Sequence, residues 1–340
     1  MGISSPITAA GPPGIFTLFR FQKVLSLTPL EIKCFLGNAR DPCAAGLTCA
    51  APLVIYFTIQ DATNTRKNFL IAIGGIMPEL PDVEMFRRYF NDKALLKKIA
   101  NVEVGDSGML VNVSPKKLSD SLVGRAFVSS ERYGKYLMAR LDNDSWLVLH
   151  FGMTGYLQYF ETLDEDTKYD KLRIEFIEDD CLVFDCRRKL GRITLVDDYE
   201  AFIKEKALGP DPLAQEFTIS DFMEALDNKK GSIKSALMDQ KVLAGIGNVY
   251  SDEILFQARL DPSNKINDLD QTDLENIYNA MIDVLDVAIS KNADPKSFPE
   301  GYLIPQRKKD GKCPRCGSDL VKQQVAGRSS YVCPGCQKKK

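Results

Sequence analysis

The sequence predicts an α+β protein, with an N-terminal β-sandwich domain that starts with a helix and a C-terminal helical domain that ends in a four-cysteine hairpin. Three observations predict this fold class. Short apolar or alternating runs of β-strand length follow one another between residues 125 and 196. Helical periodicity dominates from residue 219 to 290. Two Cys-x-x-Cys pairs lie near the end of the chain.

Bulk composition is that of a globular protein with room for two cores: 340 residues, 44% hydrophobic and 26% charged, with a formal net charge of −2. The C-terminal segment differs, because Arg307 to Lys340 contain ten Lys or Arg against two Asp. A basic segment on a neutral body indicates local phosphate binding. No apolar run reaches about 18 residues and no signal peptide is evident, so we expect no membrane partner and a cytoplasmic location.

Residues 1–76 show no convincing amphipathic period, and the pattern changes abruptly after Gly74-Gly75-Ile76. A glycine pair is encoded by a purine-rich sequence that is compatible with a ribosome-binding site just before a start codon. We therefore expect Met77 to be the functional start and 1–76 to be a non-native extension. A disordered extension or a targeting arm is the alternative.

The chain after Met77 predicts a helix. Pro81 suits the first helical turn, where a missing N–H costs nothing. Asp82 and Glu84 place negative charge at the positive end of the helix dipole. The predicted apolar face consists of Val83, Phe86, Tyr89 and Phe90.

Pro78 is the first candidate for chemistry. Once Met77 is removed, Pro78 carries a free secondary amine, and α-amino groups titrate near ~8, so part of it is neutral at pH 7. A neutral amine can attack a sugar C1′ and form a Schiff base. Glu79, the next residue, is suited to proton transfer at the same place.

The β-rich segment carries further candidate residues near its predicted turns. Strands are expected at 136–141, 146–151 and 172–176. Lys135 precedes the first of these strands, and His150, the only histidine of the chain, lies at the end of the second. Taken alone, an isolated lysine is more often exposed and an isolated histidine more often structural.

The C-terminal half is predicted to be helical. Residues 208–217 are interpreted as a linker between a 77–207 domain and a 218–300 domain, followed by a basic loop and finger at 301–340. Two glycines precede Asn248, which is expected to be the N-cap of its helix. The predicted helices are Ile219–Asn228, Ser232–Met238, Asn248–Ala258 and Asp270–Ser290.

The four C-terminal cysteines form the most specific isolated motif. The pairs Cys313/Cys316 and Cys333/Cys336 match the spacing of a four-cysteine zinc site. Four sulfur ligands leave no open coordination position, so we expect one structural Zn2+. The residues between the pairs predict a hairpin with Arg328 near its tip.

Several separated segments together resemble the formamidopyrimidine-DNA glycosylases. They are Pro78-Glu79-Leu80-Pro81-Asp82-Val83-Glu84, Arg132-Tyr133-Gly134-Lys135-Tyr136, His150-Phe151-Gly152-Met153-Thr154-Gly155, Arg188-Lys189-Leu190-Gly191-Arg192, and the 240–248 turn with the four-cysteine motif. The resemblance implies a helix–two-turns–helix domain. It also implies that Pro78 is the nucleophile, Glu79 the general acid and Lys135 a contact near the lesion and its phosphate.

The resemblance also implies a set of DNA contacts. Met153 would fill the hole left by an everted base, and Arg188 would pair with the orphaned cytosine. Leu190 stands where the family usually has phenylalanine, and an aliphatic wedge can still enter a base stack. The implied contacts to backbone phosphates are His150, Lys234, Asn248 and Arg328.

We therefore expect a monomeric, nucleoid-associated base-excision repair enzyme. It would excise 8-oxoguanine and formamidopyrimidines from duplex DNA and cleave the abasic site by β,δ-elimination. The loop 301–312 departs from the family pattern, so the lesion range stays open. One alternative is an endonuclease VIII-like glycosylase for oxidised pyrimidines. Another is a catalytically silent zinc-containing DNA-binding protein, if residues 1–76 stay attached.

Overall fold

A computed structural model describes residues 77–165 and 168–340, which belong to one compact unit of the chain. The predicted 1–76 extension lies outside the described residues. No helix in the part of the chain so described is long and apolar enough to cross a membrane.

The N-terminal domain consists of two sheets with a helix packed against them. Its helices are α1 (Leu80–Ala94), α2 (Pro115–Leu122) and α3 (Tyr199–Glu205). Its strands are β1 (Ile99–Glu103), β2 (Leu110–Val111), β3 (Phe127–Tyr133), β4 (Tyr136–Leu141), β5 (Trp146–His150), β6 (Gly155–Phe160), β7 (Asp170–Phe176), β8 (Cys181–Cys186) and β9 (Arg192–Val196). One sheet has the order β2-β9-β5-β4-β3 and the other β1-β7-β8-β6.

Both sheets and α1 contribute to one buried core. Val83, Phe86 and Phe90 of α1 are each at most 2% exposed, which confirms three of the four residues predicted for its apolar face. Phe86 meets Phe151 with ring centroids 4.4 Å apart, so the helix is fixed over the end of β5. The start of α1 is thereby fixed relative to the loops that follow β5.

The C-terminal domain packs four helices against a finger. Helices α4 (Ile219–Leu226), α5 (Ile233–Met238), α6 (Asn248–Gln257) and α7 (Gln271–Ser290) are followed by the hairpin strands β10 (Val321–Val325) and β11 (Arg328–Val332). Ala326 and Gly327 join these strands with φ values of 48° and 73°. Two successive positive φ angles are the geometry of a two-residue hairpin turn.

The element predictions agree in type and differ at their ends. The strand predicted at 136–141 is confirmed, whereas the next one ends at His150 rather than at Phe151. Helices α2 and α3 are not predicted by the sequence pattern, because segments of eight and seven residues are too short to show a helical period. Gly247, not Asn248, is the N-cap of α6. Glycine is needed there because a Cβ would lie 2.4 Å from the Glu79 side chain.

The predicted linker is packed between the two domains. Asp211 is 3% exposed and pairs with Arg132 of β3. It also accepts a 2.7 Å hydrogen bond from the Gly134 N–H, while the Tyr133 hydroxyl donates to the Gly209 carbonyl at 2.8 Å. These bonds hold the β3–β4 turn, and with it Lys135, against the 208–217 linker.

We predict that Asp211→Ala lowers the free energy of unfolding by about 3 to 5 kcal/mol, because it leaves the Arg132 guanidinium buried without its main partner. Urea unfolding followed by circular dichroism measures the change. Asp120→Ala is the matched control, since Asp120 pairs with Lys116 on the exposed surface of α2. Equal midpoints for the two variants would contradict a structural role for Asp211.

Candidate active site

The centre of the candidate site is the Glu79 carboxylate, which lies at the N terminus of α6. Glu79 is 2% exposed and accepts hydrogen bonds from the backbone N–H groups of Gly247 (2.7 Å), Val249 (2.8 Å) and Tyr250 (3.2 Å). Helix N termini leave such N–H groups without partners and attract negative charge. The residue that precedes α1 therefore completes a helix that is separated from it by about 170 positions.

Pro78 and Leu80 flank this carboxylate and are both buried. The Leu80 N–H donates to the Gly245 carbonyl at 2.9 Å. Gly245 has a φ of 107°, and a Cβ there would lie 2.7 Å from the Leu80 side chain. The two glycines before α6 thus let the 78–80 segment approach closely, as the sequence predicts for this turn.

Asp82 shares the site with Glu79. Its carboxylate accepts a 2.8 Å hydrogen bond from the Glu79 N–H. Protein atoms surround the carboxyl group although the residue as a whole is partly exposed. Burial, and to a smaller extent the Glu79 charge, raises the pKa of Asp82 to about 7. Asp82 can therefore gain or lose a proton near neutral pH.

Lys135 places a positive charge at the same site. It is 8% exposed, and its ammonium makes no hydrogen bond or ion pair with any residue of 77–165 or 168–340. Burial lowers the pKa of Lys135, while the charges of Glu79 and Asp82 raise it and the Arg328 charge lowers it further. A buried cation near a second cation, without a paired carboxylate, is suited to an anionic ligand.

His150 is a neutral imidazole at the end of β5. Burial, with the nearby charges of Lys135 and Arg192, lowers the pKa of His150 to about 4. Its Nδ1 accepts from the Gly152 N–H at 3.3 Å, which assigns the ring proton to Nε2. The ring packs on Tyr136 with centroids 5.0 Å apart, so His150 can present an N–H donor in a fixed orientation.

The predicted base-contacting residues lie on two adjoining loops. The Arg188 N–H donates to the Thr154 hydroxyl at 3.0 Å, and a Cβ at Gly152 would lie 2.5 Å from the backbone of Leu190. Arg188 is exposed and Leu190 is 42% exposed, whereas Met153 is partly buried. The structure therefore brings the loops of Met153, Arg188 and Leu190 together, and the Arg188 and Leu190 side chains are exposed to solvent.

Asn248 and Arg328 lie near Glu79 and Lys135, respectively. The Asn248 side-chain Oδ1 is buried without a hydrogen-bond partner at the first position of α6. Arg328 is exposed at the start of β11, and its guanidinium has no partner among the described residues. Both remain predicted phosphate contacts, and Arg328 lies close enough to Lys135 to affect its pKa.

Lys234, the other predicted phosphate contact, lies buried in an ion pair in this structure. Lys234 is 0% exposed, and its ammonium lies 2.5 Å from an oxygen of Asp252 in a fully buried ion pair. The lysine is neutralised by that carboxylate, since an unpaired charge at this depth would carry a large desolvation cost. Its role is to hold α5 against α6.

Asp252 is the functional residue that sequence reasoning missed on α6. Besides Lys234, it accepts bonds from Arg307 (2.8 Å), the Tyr331 N–H (3.2 Å) and the Ser330 hydroxyl. Arg307 also lies over the Tyr331 ring, 5.2 Å from its centroid. One buried carboxylate thus joins α5, the 301–312 segment and the hairpin that carries Arg328. An acidic residue one helical turn after Asn248 is the only signal the sequence offered.

Glu253, the next residue, fixes the 301–312 segment. It is 0% exposed and accepts from the backbone N–H groups of Leu303 (3.1 Å) and Ile304 (2.7 Å). Burial raises the pKa of Glu253 to about 6. These bonds tie the Leu303–Ile304 backbone to the middle of α6.

The four cysteine sulfurs fit a single zinc ion. All four Sγ atoms lie within 4.8 Å of one another, with Cys313 and Cys336 3.8 Å apart and Cys316 and Cys333 3.5 Å apart. Zn–S bonds of about 2.3 Å in a tetrahedron require sulfur separations of about 3.8 Å. The four sulfurs therefore form a structural four-cysteine zinc site, and the cofactor prediction is confirmed.

A β-sandwich, a helix–two-turns–helix domain and a zinc finger define one class of two-domain proteins. Three family models match the chain in that order: the formamidopyrimidine-DNA glycosylase N-terminal domain over residues 77–193, its H2TH domain over 208–299, and a zinc finger found in FPG and IleRS over 311–339. The chain belongs to the formamidopyrimidine-DNA glycosylase family.

Relatives and solved structures agree with this assignment. The formamidopyrimidine-DNA glycosylases of Protochlamydia amoebophila and Heliobacterium modesticaldum are 33% and 34% identical; each match covers 77% of this chain and 100% of the relative. Lactococcus lactis formamidopyrimidine-DNA glycosylase, solved bound to DNA with an AP site, is 32% identical with a TM-score of 0.71. That match covers 77% of this chain and 100% of the solved chain.

We predict that the imidazole proton resonances of His150 do not shift between about pH 6 and 8, because its pKa lies near 4 rather than near 6.5. The folded state binds fewer protons there than the unfolded chain, so stability falls as pH drops from about 6.5 towards 4. The assignment is unambiguous because the chain has one histidine. The stability of His150→Gln should depend less on pH than that of the wild type. A titration midpoint near pH 6.5 for the wild-type His150 resonances would contradict a buried, neutral imidazole.

Proposed function

We propose that this chain removes oxidised purines from duplex DNA and then cleaves the resulting abasic site, as a base-excision repair enzyme. The observation that carries the proposal is the joint burial of Pro78 and Glu79 at the N terminus of α6, beside the unpaired ammonium of Lys135. The solved Lactococcus lactis relatives, which hold DNA with a Fapy-dG or an AP site, support this substrate class.

The Pro78 amine is the proposed nucleophile. Its lone pair attacks C1′ of the damaged nucleotide, the C1′–N bond breaks, and the base leaves with that electron pair and takes up a proton. The amine proton is lost, the C1′–O4′ bond opens with a proton delivered to O4′, and an iminium joins Pro78 to C1′. Loss of a C2′ proton then releases the 3′ phosphate, and a second elimination releases the 5′ phosphate. Water then hydrolyses the remaining iminium, which frees the Pro78 amine.

Proton transfer in these steps falls to two carboxyl groups. Glu79 is held by α6 next to Pro78, in reach of the opening sugar oxygen. Asp82 has a pKa of about 7 and bonds to the Glu79 N–H, so it can exchange a proton with the same region at neutral pH. The four-cysteine zinc site has no open coordination position and takes no part in these proton transfers.

DNA is held by groups that surround this centre. Lys135, Arg328 and the Nε2–H of neutral His150 are the proposed phosphate contacts, joined by the Asn248 amide at the start of α6. Arg188 and Leu190 enter the stack from their exposed loop, while Met153 fills the space left by the flipped nucleotide. We propose that the enzyme acts on chromosomal DNA and is associated with the nucleoid in the cytoplasm.

The mechanism requires a free amine at Pro78. A residue bonded before Pro78 converts that nitrogen to an amide, whose lone pair is delocalised and not nucleophilic. The 340-residue chain, in which Met77 precedes Pro78, is therefore inactive as a lyase. Relatives whose full length aligns with 77% of this chain, together with the N-terminal domain match that starts at residue 77, support a functional start at Met77.

We predict that residues 77–340, with Met77 removed, form a borohydride-stable adduct with duplex DNA carrying 8-oxoguanine opposite cytosine. The matched control has one alanine before Pro78, which removes the proline amine without changing the charge of the protein. Denaturing electrophoresis should show the adduct only for the first protein, and not for the 340-residue chain.

Two outcomes would contradict this proposal. An adduct of equal yield from the alanine-extended control would show that another amine reacts. Absence of an adduct from 77–340, with zinc bound and DNA retained, would exclude this lesion and direct the next trial to oxidised pyrimidines.

We predict that Glu79→Gln lowers the single-turnover rate of base excision by about 10²- to 10³-fold. The glutamine side chain cannot transfer a proton as the carboxyl group does. Its NH2 group would also face the backbone N–H donors at the N terminus of α6. Borohydride trapping on a preformed abasic site, measured in parallel, should fall less. Wild-type excision by this variant would remove Glu79 from the mechanism.

A further inference from the structure

The zinc finger makes a second contact with α6, at the end opposite to the active site. Arg315 lies between the ligands Cys313 and Cys316. Its guanidinium donates to the Phe256 carbonyl at 2.8 Å and to the Gln257 side chain at 2.5 Å, and stacks 4.3 Å from the Phe256 ring centroid. A cation at this position satisfies carbonyl groups of the last helical turn and matches the negative end of the helix dipole.

Metal binding and this arginine are linked through one short turn of the chain. The Arg315 N–H points at the Cys313 sulfur, 3.4 Å away. Cys313 also packs with Phe256 and Leu303 in a small apolar cluster. Sulfur ligands that surround an ion therefore fix the backbone of residue 315, and the guanidinium carries that constraint to α6.

The contact continues from α6 to the neighbouring segment. Gln257 donates to the Glu253 carboxylate at 2.7 Å and to the Gly301 carbonyl at 3.2 Å. Glu253 in turn holds the N–H groups of Leu303 and Ile304. A chain of hydrogen bonds thus runs from the metal knuckle through Arg315 along one side of α6.

We propose that Arg315 is a positioning residue, through which the zinc-loaded finger sets the placement of α6 and so of the N–H groups that hold Glu79. Helix α6 has ten residues and spans about 15 Å. A short helix that is bonded to other elements at both its first and its last turn moves as one unit, because its backbone hydrogen bonds make it stiff. A displacement of one end therefore displaces the other. The finger therefore orients the catalytic carboxylate as well as presenting Arg328.

Hydrogen exchange on the zinc-loaded 340-residue chain tests this inference, with zinc stoichiometry measured for every variant. Arg315→Ala should retain one zinc while the amides of Gly247, Val249 and Tyr250 exchange roughly tenfold faster, as expected when a charge-assisted hydrogen bond is lost. Arg315→Lys keeps the charge at the helix end and should restore part of the protection. Lys312→Ala is the matched control, because Lys312 pairs with Asp319 next to the knuckle and does not contact α6.

Wild-type exchange at those three amides in zinc-loaded Arg315→Ala would overturn the proposal. Equal acceleration in Lys312→Ala would overturn it as well, since the effect would then belong to any change near the metal. If Arg315→Ala loses zinc, exchange at the same three amides is compared between Arg315→Lys and Lys312→Ala. Exchange that is no faster in Arg315→Lys than in Lys312→Ala would then overturn the proposal. This proposal rests on the proposed function only in calling Glu79 catalytic. Hydrogen exchange is measured without DNA, so failure of the glycosylase proposal would not change this result.

Discussion

The hydrogen bonds between the Glu79 carboxylate and the N terminus of α6 are the interaction on which the rest of the site depends. They join the first residues of the β-sandwich domain to the centre of the helical domain. The donors are backbone groups, so no side-chain rearrangement can remove them while the helix persists. A buried carboxylate without them would carry a large desolvation cost. Pro78 adjoins this contact in the chain, and Asp82 is joined to it by its bond with the Glu79 N–H.

Helix α6 distributes its polar contacts along its length. The first turn of α6 holds Glu79. In the middle of the helix, Asp252 and Glu253 hold the finger and the 301–312 segment. The last turn receives Arg315. This explains why a helix of ten residues is almost completely buried yet contains charged residues. Each buried charge has a partner on another element, so the helix fixes the two domains and the finger relative to one another.

Local features of the sequence predicted much of the fold. Strand alternation located β4 and β5, helical periodicity located α4 to α7, and two Cys-x-x-Cys pairs located the zinc site. Contacts between distant residues could not be predicted in the same way. The burial of Lys234 is one such case, because it depends on Asp252, eighteen positions away on another helix. Asp211 was assigned to a linker because nothing near it in the chain indicates the Arg132 partner.

The sequence by itself determined the elements, the metal ligands and the family, because these depend on residue type and on spacing along the chain. It also singled out Pro78 and Glu79 as a reactive pair. Only the tertiary structure decided which charges are available. Lys135 and Lys234 are both buried lysines, but the first has no partner among the described residues and the second is neutralised by Asp252. Whether a charge can bind a ligand depends on what surrounds it in space, and that is set by packing between elements far apart in the chain.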